Sequence, residues 1–553
     1  MRGASILCAQ PFGVPRVCPW MEEKLHAITE PVAKPGRNCW RVERADRVKV
    51  IVDAADYYHI LHDLMLKADK RILLIGWDFD TRIDLERGHE ADGTQPETLG
   101  AFMLRLAKTK PHLAIDILKW DFGAIKSLFR GSHLLTLLRW MLTKQITFKF
   151  DSAHPKGCSH HQKIVVIDDC IAVCGGIDMT GARWDTPEHQ DDDPRRKLPN
   201  GKVYTPWHDV TTLIDGPVAE ALAELGRERW KLATTRELKP VHTDCPLWPD
   251  DLEPDFTDVD LAVSRTRAEY KDLPEIREIE KLYIDMIAAA KRYIYCENQY
   301  FTAPEIAAAI ARRMQEENPP EIVIVMPQQA DGWIEQTAMD GARVRLCQAI
   351  GNIDTGNRFR IFYPVTQKGE PIYVHAKLMI VDDQLLRIGS SNMNNRSLGL
   401  DSECDIMLQA EAGSAQSEEI AALRTSLMAE HLDVAPEEIA AKFAETGSLL
   451  ETIYAFQKPA GRSLRTLEVE EPDGLDKFIA DNEILDPKSA DGFFEPMSRR
   501  GLFKGFRKRV AEMRGRRKGL TNYWESDRTR FCYAREDKSG ETADKAEAEM
   551  LTD

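Results

Sequence analysis

Residues 161–178 read HQKIVVIDDCIAVCGGID, and residues 375–392 read HAKLMIVDDQLLRIGSSN. The two stretches align without a gap. His161, Lys163, Asp168, Gly175 and Gly176 fall on His375, Lys377, Asp382, Gly389 and Ser390, and Asp178 falls on Asn392. Each stretch reads as two short buried strands joined at an Asp-Asp turn. One H-x-K-x-x-x-x-D match is expected by chance roughly 0.05 times in a chain of this composition, so two copies in corresponding places indicate a duplication. Side chains alternate along a strand, so His161 and Lys163 share a face, as do His375 and Lys377. Asp168 and Asp382 fall on the opposite face at the turn, where they read as structural anchors. His160 is out of register with the repeat and reads as a bystander or a neighbour of the site.

Strand and helix patterns alternate on both sides of the repeat, which predicts an α/β fold. Two pseudo-twofold-related halves are expected, each a mixed β-sheet flanked by helices. A mostly helical C-terminal extension follows. The boundaries read as an N-terminal segment, 1–45, partly disordered; a first half, 46–235; a linker, 236–262, rich in proline and acid; a second half, 263–430; and the extension, 431–553, with a basic segment and a polar tail. The long polar stretch 185–206 reads as a lid or binding loop.

The composition is that of a soluble globular protein, 43% apolar and 30% charged. No run approaches the roughly 18–20 apolar residues of a membrane-spanning helix. The N-terminus lacks a signal-peptide core, and Met21 offers an alternative start. A cytoplasmic location, peripheral at the membrane, is expected. The eleven cysteines contain no CxxC pair and read as reduced thiols. Cys170 and Cys174 near His154, His160 and His161 match no zinc spacing, and neither metal nor cofactor is expected. A net charge of −16 weighs against nucleic acid as a partner. Residues 499–518, however, hold ten Lys/Arg and one Glu. Leu502, Phe503, Phe506, Val510 and Met513 lie among them, a pattern suited to an anionic bilayer.

Two histidine–lysine faces brought together would suit a phosphodiester. Lysines are point charges for non-bridging phosphate oxygens. Two imidazoles in different environments can divide into nucleophile and acid.

The paired motifs resemble those of the phospholipase D superfamily, over most of residues 46–430. IGW (75–77), GARWD (181–185), PWHDV (206–210), IYCENQYF (294–301) and GSSNMNNRSLGLDSECDI (389–406) bring the resemblance toward its phospholipase D enzymes. It implies cleavage of a glycerophospholipid headgroup to phosphatidic acid through a phosphohistidine, or transfer of the phosphatidyl group to another alcohol. It implies His161 as nucleophile and His375 as acid/base, or the reverse order, with Lys163, Lys377 and Asn392 on the phosphate oxygens. Asp209 and Glu403 fit the places of carboxylates that orient each histidine from downstream of its motif. Asp178 departs from the Asn392 pattern and puts that half's phosphate contact in doubt. Trp184, Trp207 and Trp333 are candidates for the pocket mouth or for the core. Other expectations are a phosphatidyl-transferase such as a cardiolipin synthase, and a metal-independent nuclease of the same superfamily.

Overall fold

The computed structural model describes residues 27–88, 97–121, 132–242, 247–330 and 341–468. All belong to one compact unit, 1–493. The basic segment 499–518, the polar tail and Trp333 lie outside the described residues.

The first half runs β1 (Arg41–Val52), α1 (Ala54–Lys67), β2 (Arg71–Gly76), α2 (Leu99–Thr109), β3 (Ala114–Trp120), α3 (Ser132–Leu142), β4 (Ile146–Asp151), β5 (Ile164–Ile167), β6 (Ile171–Gly175), β7 (Trp207–His208), β8 (Val210–Asp215) and α4 (Pro217–Thr234). The second runs β9 (Phe256–Arg267), β10 (Ile276–Arg277), α5 (Glu278–Ala289), β11 (Tyr293–Asn298), α6 (Pro304–Met314), β12 (Glu321–Val325), α7 (Gly341–Gly351), β13 (Phe359–Val365), β14 (Tyr373–Val374), β15 (Lys377–Val381), β16 (Leu385–Gly389), α8 (Asn395–Gly399) and β17 (Glu403–Gln409). The second half closes on α9 (Ala415–Leu432), which follows β17 as α4 follows β8, and the extension adds α10 (Pro436–Thr446), α11 (Leu449–Phe456) and β18 (Ser463–Thr466).

The halves share one mixed sheet, ordered β18-β13-β12-β11-β15-β16-β17-β9-β1-β8-β6-β5-β2-β3-β4, with β10 paired to β9. Outward from the central β1–β9 pair, β8-β6-β5-β2-β3-β4 matches β17-β16-β15-β11-β12-β13 step for step. The pseudo-twofold therefore passes between β1 and β9. Two boundaries differ from the sequence expectation. Residues 256–262 of the proposed linker open β9, and residues 41–45 of the proposed N-terminal segment open β1. In β9 the alternation of Val259, Asp260 and Leu261 is that of a strand with one wet face, whereas RVERA at 41–45 has no such alternation and is held in the sheet by pairing with β9.

Asp168, Asp169, Asp382 and Asp383 all have φ of 53–54°. Positive φ at both aspartates, closed by the Cys170 N–H to Ile167 carbonyl and Gln384 N–H to Val381 carbonyl bonds, makes each Asp-Asp a tight turn with a third residue, Cys170 or Gln384, between the paired strands. Asp168 accepts hydrogen bonds from the backbone N–H groups of Asp69, Lys70 and Arg71, all at 2.7 Å. Asp382 does the same for Lys291, Arg292 and Tyr293 at 2.6–2.8 Å. Each motif carboxylate thus ties its hairpin turn to the start of the neighbouring strand, β2 or β11. The second turn aspartates are tied to helices, Asp169 by Arg227 of α4 and Asp383 by Arg424 of α9.

One apolar core joins both halves under α4 and α9, and includes Leu73, Ile164, Leu222, Trp230, Leu378, Ile406 and Leu427. Separate cores lie beneath α1–α2 and α5–α6. Apolar residues on both faces of β5, β6, β15 and β16 explain why the motif strands read as continuous buried runs.

Candidate active site

The segments that carry the two histidines do not pair within their own halves. β14 pairs in parallel with β7, Tyr373 opposite Trp207 and Val374 opposite His208, and the His375 N–H donates to the His208 carbonyl at 2.7 Å. The mirror arrangement is a parallel bridge between His160 and Ser402, with the His161 N–H donating to the Ser402 carbonyl at 3.0 Å. In each case the residue after the bridge is a histidine on one strand and a carboxylate on the other. His375 Nδ1 therefore lies 2.7 Å from Asp209 Oδ2, and His161 Nδ1 lies 3.0 Å from Glu403. The carboxylates act across the twofold. Each histidine is oriented by the other half's acid, not by the one downstream of its own motif.

A carboxylate on Nδ1 fixes the tautomer that leaves Nε2 free to attack or to pass a proton. The two acids reach their partners differently. Glu403 also accepts from Ser390 Oγ at 2.5 Å. At the matching position Gly176 leaves the room that Asp209 needs, because a Cβ there would collide with the Asp209 carboxylate. The shorter acid must come closer, and only glycine permits it.

Lys163 Nζ donates to the His161 carbonyl at 3.0 Å and pairs with Asp178 at 3.2 Å. Lys377 Nζ donates to the His375 carbonyl and lies 3.4 Å from Gln299 Oε1. Asn392 Nδ2 donates to the same Gln299 oxygen at 3.3 Å. Each motif lysine thus curls back beside its own histidine, so the cations and imidazoles converge.

Burial, followed by Lys163 and Lys377, pushes the His161 imidazole well below its usual range. Burial, with Lys377, Arg183 and Lys163, does the same to His375. Both rings are neutral at pH 7 before an anion enters. Burial lowers Lys377 to about 7, against the pull of Asp209. It raises Glu403 to about 8 despite Lys163 and Ser390, and raises Asp209 against the opposing field of Lys377. An anion between the lysines would cancel the positive field that suppresses both imidazoles.

Aromatic rings wall both sides. Trp77 meets His161 edge-on at 6.2 Å and stacks on Trp120 at 5.7 Å. Trp207 stacks on Tyr373 at 4.6 Å, lies 5.2 Å from the His375 ring and carries the Arg183 guanidinium at 4.1 Å. Trp207 is thus at the site, whereas Trp184 is buried in the first-half core. Trp120 and Tyr373 carry no local mark in the sequence. Trp77, Arg183 and Gln299 lie inside the quoted IGW, GARWD and IYCENQYF stretches, which was the available signal. His160 is buried with Nδ1 2.8 Å from Ser402 Oγ, so it secures the bridge that places Glu403.

Beneath Asp209 lies a buried group with no sequence signature. Asp53, His189, His208 and Glu430 offer ligand atoms within 4.8 Å of one another, a set that can hold a metal ion. His189 comes from the 185–206 stretch, which is therefore pinned at this point. Two imidazoles and two carboxylates fit a divalent cation. The same groups also satisfy one another as ions. Burial alone would lower His189, but Asp53, Asp185 and Glu430 outweigh it and raise it to about 9. His208 is raised well above its usual value, Glu297 and Glu430 overcoming burial. Asp53 accepts from the Asp209 N–H at 3.0 Å, so the cluster supports the acid that orients His375.

The family model described as phospholipase D matches residues 64–246, and the one described as cardiolipin synthase, PLD-like domain, matches residues 283–423. The two cover more than half of the chain, one on each half of the sheet.

The chain belongs to the phospholipase D superfamily.

It is 28% identical over 464 residues to phospholipase D A of Dictyostelium discoideum, covering 70% of this chain and 36% of that protein. It is 26% identical over 516 residues to phospholipase D alpha 1 of Ricinus communis, covering 68% and 63%. The chain thus spans about a third to under two thirds of these relatives' lengths. Phosphatidylserine synthase of Haemophilus influenzae Rd KW20 superposes with a TM-score of 0.49 at 15% identity, covering 74% of this chain and 95% of that one.

Proposed function

We propose that this chain is a phospholipase D-type phosphodiesterase that cleaves the headgroup of glycerophospholipids to phosphatidic acid, and passes the phosphatidyl group to alcohols when they compete with water. The observation that carries the reading is the convergence of two histidine–lysine pairs, each histidine held by the opposite half's carboxylate. His161, the more exposed of the two rings at 14% against 6%, attacks phosphorus through Nε2. The bond to the headgroup oxygen breaks, and that oxygen takes a proton from His375. His375, steadied by Asp209, then removes a proton from water or an alcohol. That oxygen attacks phosphorus and releases His161. Lys163, Lys377 and Asn392 hold the non-bridging oxygens, and the charge of the bound phosphate raises the affinity of His375 for the proton it must carry.

Incubation with mixed phospholipid vesicles and a primary alcohol tests this. Phosphatidyl-alcohol formed by wild type and lost in His161→Ala and His375→Ala is expected. Cleavage of single-stranded DNA with untouched lipid would contradict it. A phosphatidyl-transferase reading is favoured by the description of the family model on the second half. Products confined to lipid–alcohol acceptors, with no phosphatidic acid in water, would select it.

A cytoplasmic location with peripheral contact to anionic membrane through residues 499–518 belongs to the same proposal. Their ten cations in a chain of net charge −16 support it. Unchanged vesicle binding after deletion of 499–553 would remove that role. No described helix is long and apolar enough to cross a membrane.

A further inference from the structure

Large apolar side chains are exposed at few places among the described residues, and they are unevenly spread. Leu135, Leu138, Met141 and Leu142 are 63%, 47%, 65% and 88% exposed, all on α3. Phe150, at the end of β4, is 40% exposed. Positions 135, 138 and 142 recur at helical spacing, so they share one face, with Met141 at its edge. The opposite face is used for packing: Leu137 and Trp140 are buried, and the Trp140 indole N–H donates to the Gly100 carbonyl at 3.1 Å. The helix is therefore anchored, and its second apolar stripe faces outward. A soluble surface rarely gathers such side chains without a partner.

Charge says which partner. Between residues 132 and 150 the sequence has Arg139, Lys144 and Lys149 and no Asp or Glu, in a chain whose net charge is −16. Arg139 and Lys144 are exposed beside the apolar stripe, and Lys149 is exposed next to Phe150. Exposed leucines, a methionine and a phenylalanine rimmed by cations match the boundary of an anionic bilayer, where apolar groups enter the acyl region and cations meet phosphate. The position in the fold agrees. α3 lies in the crossover between β3 and β4, and β3 ends at Trp120, which stacks on Trp77, the ring that meets His161 edge-on.

We infer that the outward face of α3, with Phe150, is a membrane-docking surface that seats the chain on anionic phospholipid bilayers. It rests on the proposed function for the identity of its partner, but it operates without cleavage. In sequence it is separate from residues 499–518.

The test uses the full chain with two kinds of vesicle, phosphatidylcholine alone and phosphatidylcholine with phosphatidylglycerol. Binding is expected to favour the anionic vesicles. Leu138→Glu/Leu142→Glu should weaken it by at least about tenfold, with unchanged cleavage of a monomeric short-chain phospholipid. Because the variant could disturb folding, an environment-sensitive dye on Leu142→Cys gives an independent reading. It should brighten on anionic vesicles, while the same dye on Tyr454→Cys, 46% exposed on α11, should not. A dye at 142 that stays as dim as at 454 would overturn the inference. So would unchanged vesicle binding by the double variant. A dimer that Leu138→Glu/Leu142→Glu splits while vesicle binding persists would assign the face to a second copy of the chain instead. Loss of lipid cleavage activity in wild type with intact vesicle docking would refute the proposed reaction and leave the surface standing.

Discussion

The two halves share a strand order and a motif, yet they equip the shared site differently. Lys163 faces a carboxylate, Asp178, at 3.2 Å. Lys377 faces neutral acceptors, the Gln299 amide and the His375 carbonyl. The first half thus holds its cation partly neutralised, and the second presents its cation less compensated, beside Asn392. The orienting acids also differ. Asp209 is short and needs Gly176, whereas Glu403 is longer and leaves space for Ser390. A duplicated fold has become a polarised site, which is what a reaction with an attacking side and a leaving side requires.

Several changes break this comparison. The largest effect is expected from removing either imidazole: His161→Ala and His375→Ala should each reduce phosphatidyl transfer by about 10⁴-fold or more, measured by product formation on vesicles. Loss of an orienting acid should cost about 10²-fold, and its signature is the crossing. In Asp209→Asn the low-field Nδ1–H proton resonance of His375 should shift while that of His161 stays, and Glu403→Gln should do the reverse. Gly176→Ser should behave like Asp209→Asn, because its side chain displaces that carboxylate, whereas Ser390→Gly should be mild.

Two smaller effects sharpen the electrostatic difference. Asp178→Asn makes the first half resemble the second, and should tighten tungstate binding several-fold by freeing the Lys163 charge. In the anion-free protein Lys377 titrates at about 7, so its ammonium is present below that pH and lost above it. Tungstate affinity should therefore be full below pH 7 and fall as pH rises, by at most about tenfold per unit from this group. Lys377→Arg, charged throughout this range, should flatten that part of the profile.

Much of this was legible from spacing. The gapless match of 161–178 with 375–392 gives the duplication, the histidine–lysine face and the anchoring role of Asp168 and Asp382. All of these depend on local strand geometry. The crossing was not legible, since it is set by parallel bridges between segments 166 and 242 residues apart, and downstream spacing points to the wrong half. Gln299 and Tyr373 reach the site for the same reason, through the pairing of β11 with β15 and of β14 with β7. The linker reading failed at Phe256 because proline and acid upstream, and the break at Asp258, masked the alternation that starts at Val259.

One measurement bears most directly on a single site built by both halves. Under the proposed mechanism His375→Ala retains the nucleophile but lacks the base for water, so with a p-nitrophenyl phosphodiester, whose leaving group needs no acid, a covalent phosphoenzyme should accumulate. Mass spectrometry of the quenched protein should place it on His161. No adduct in His375→Ala or in His161→Ala, while wild type still cleaves the ester, would contradict the shared two-histidine site.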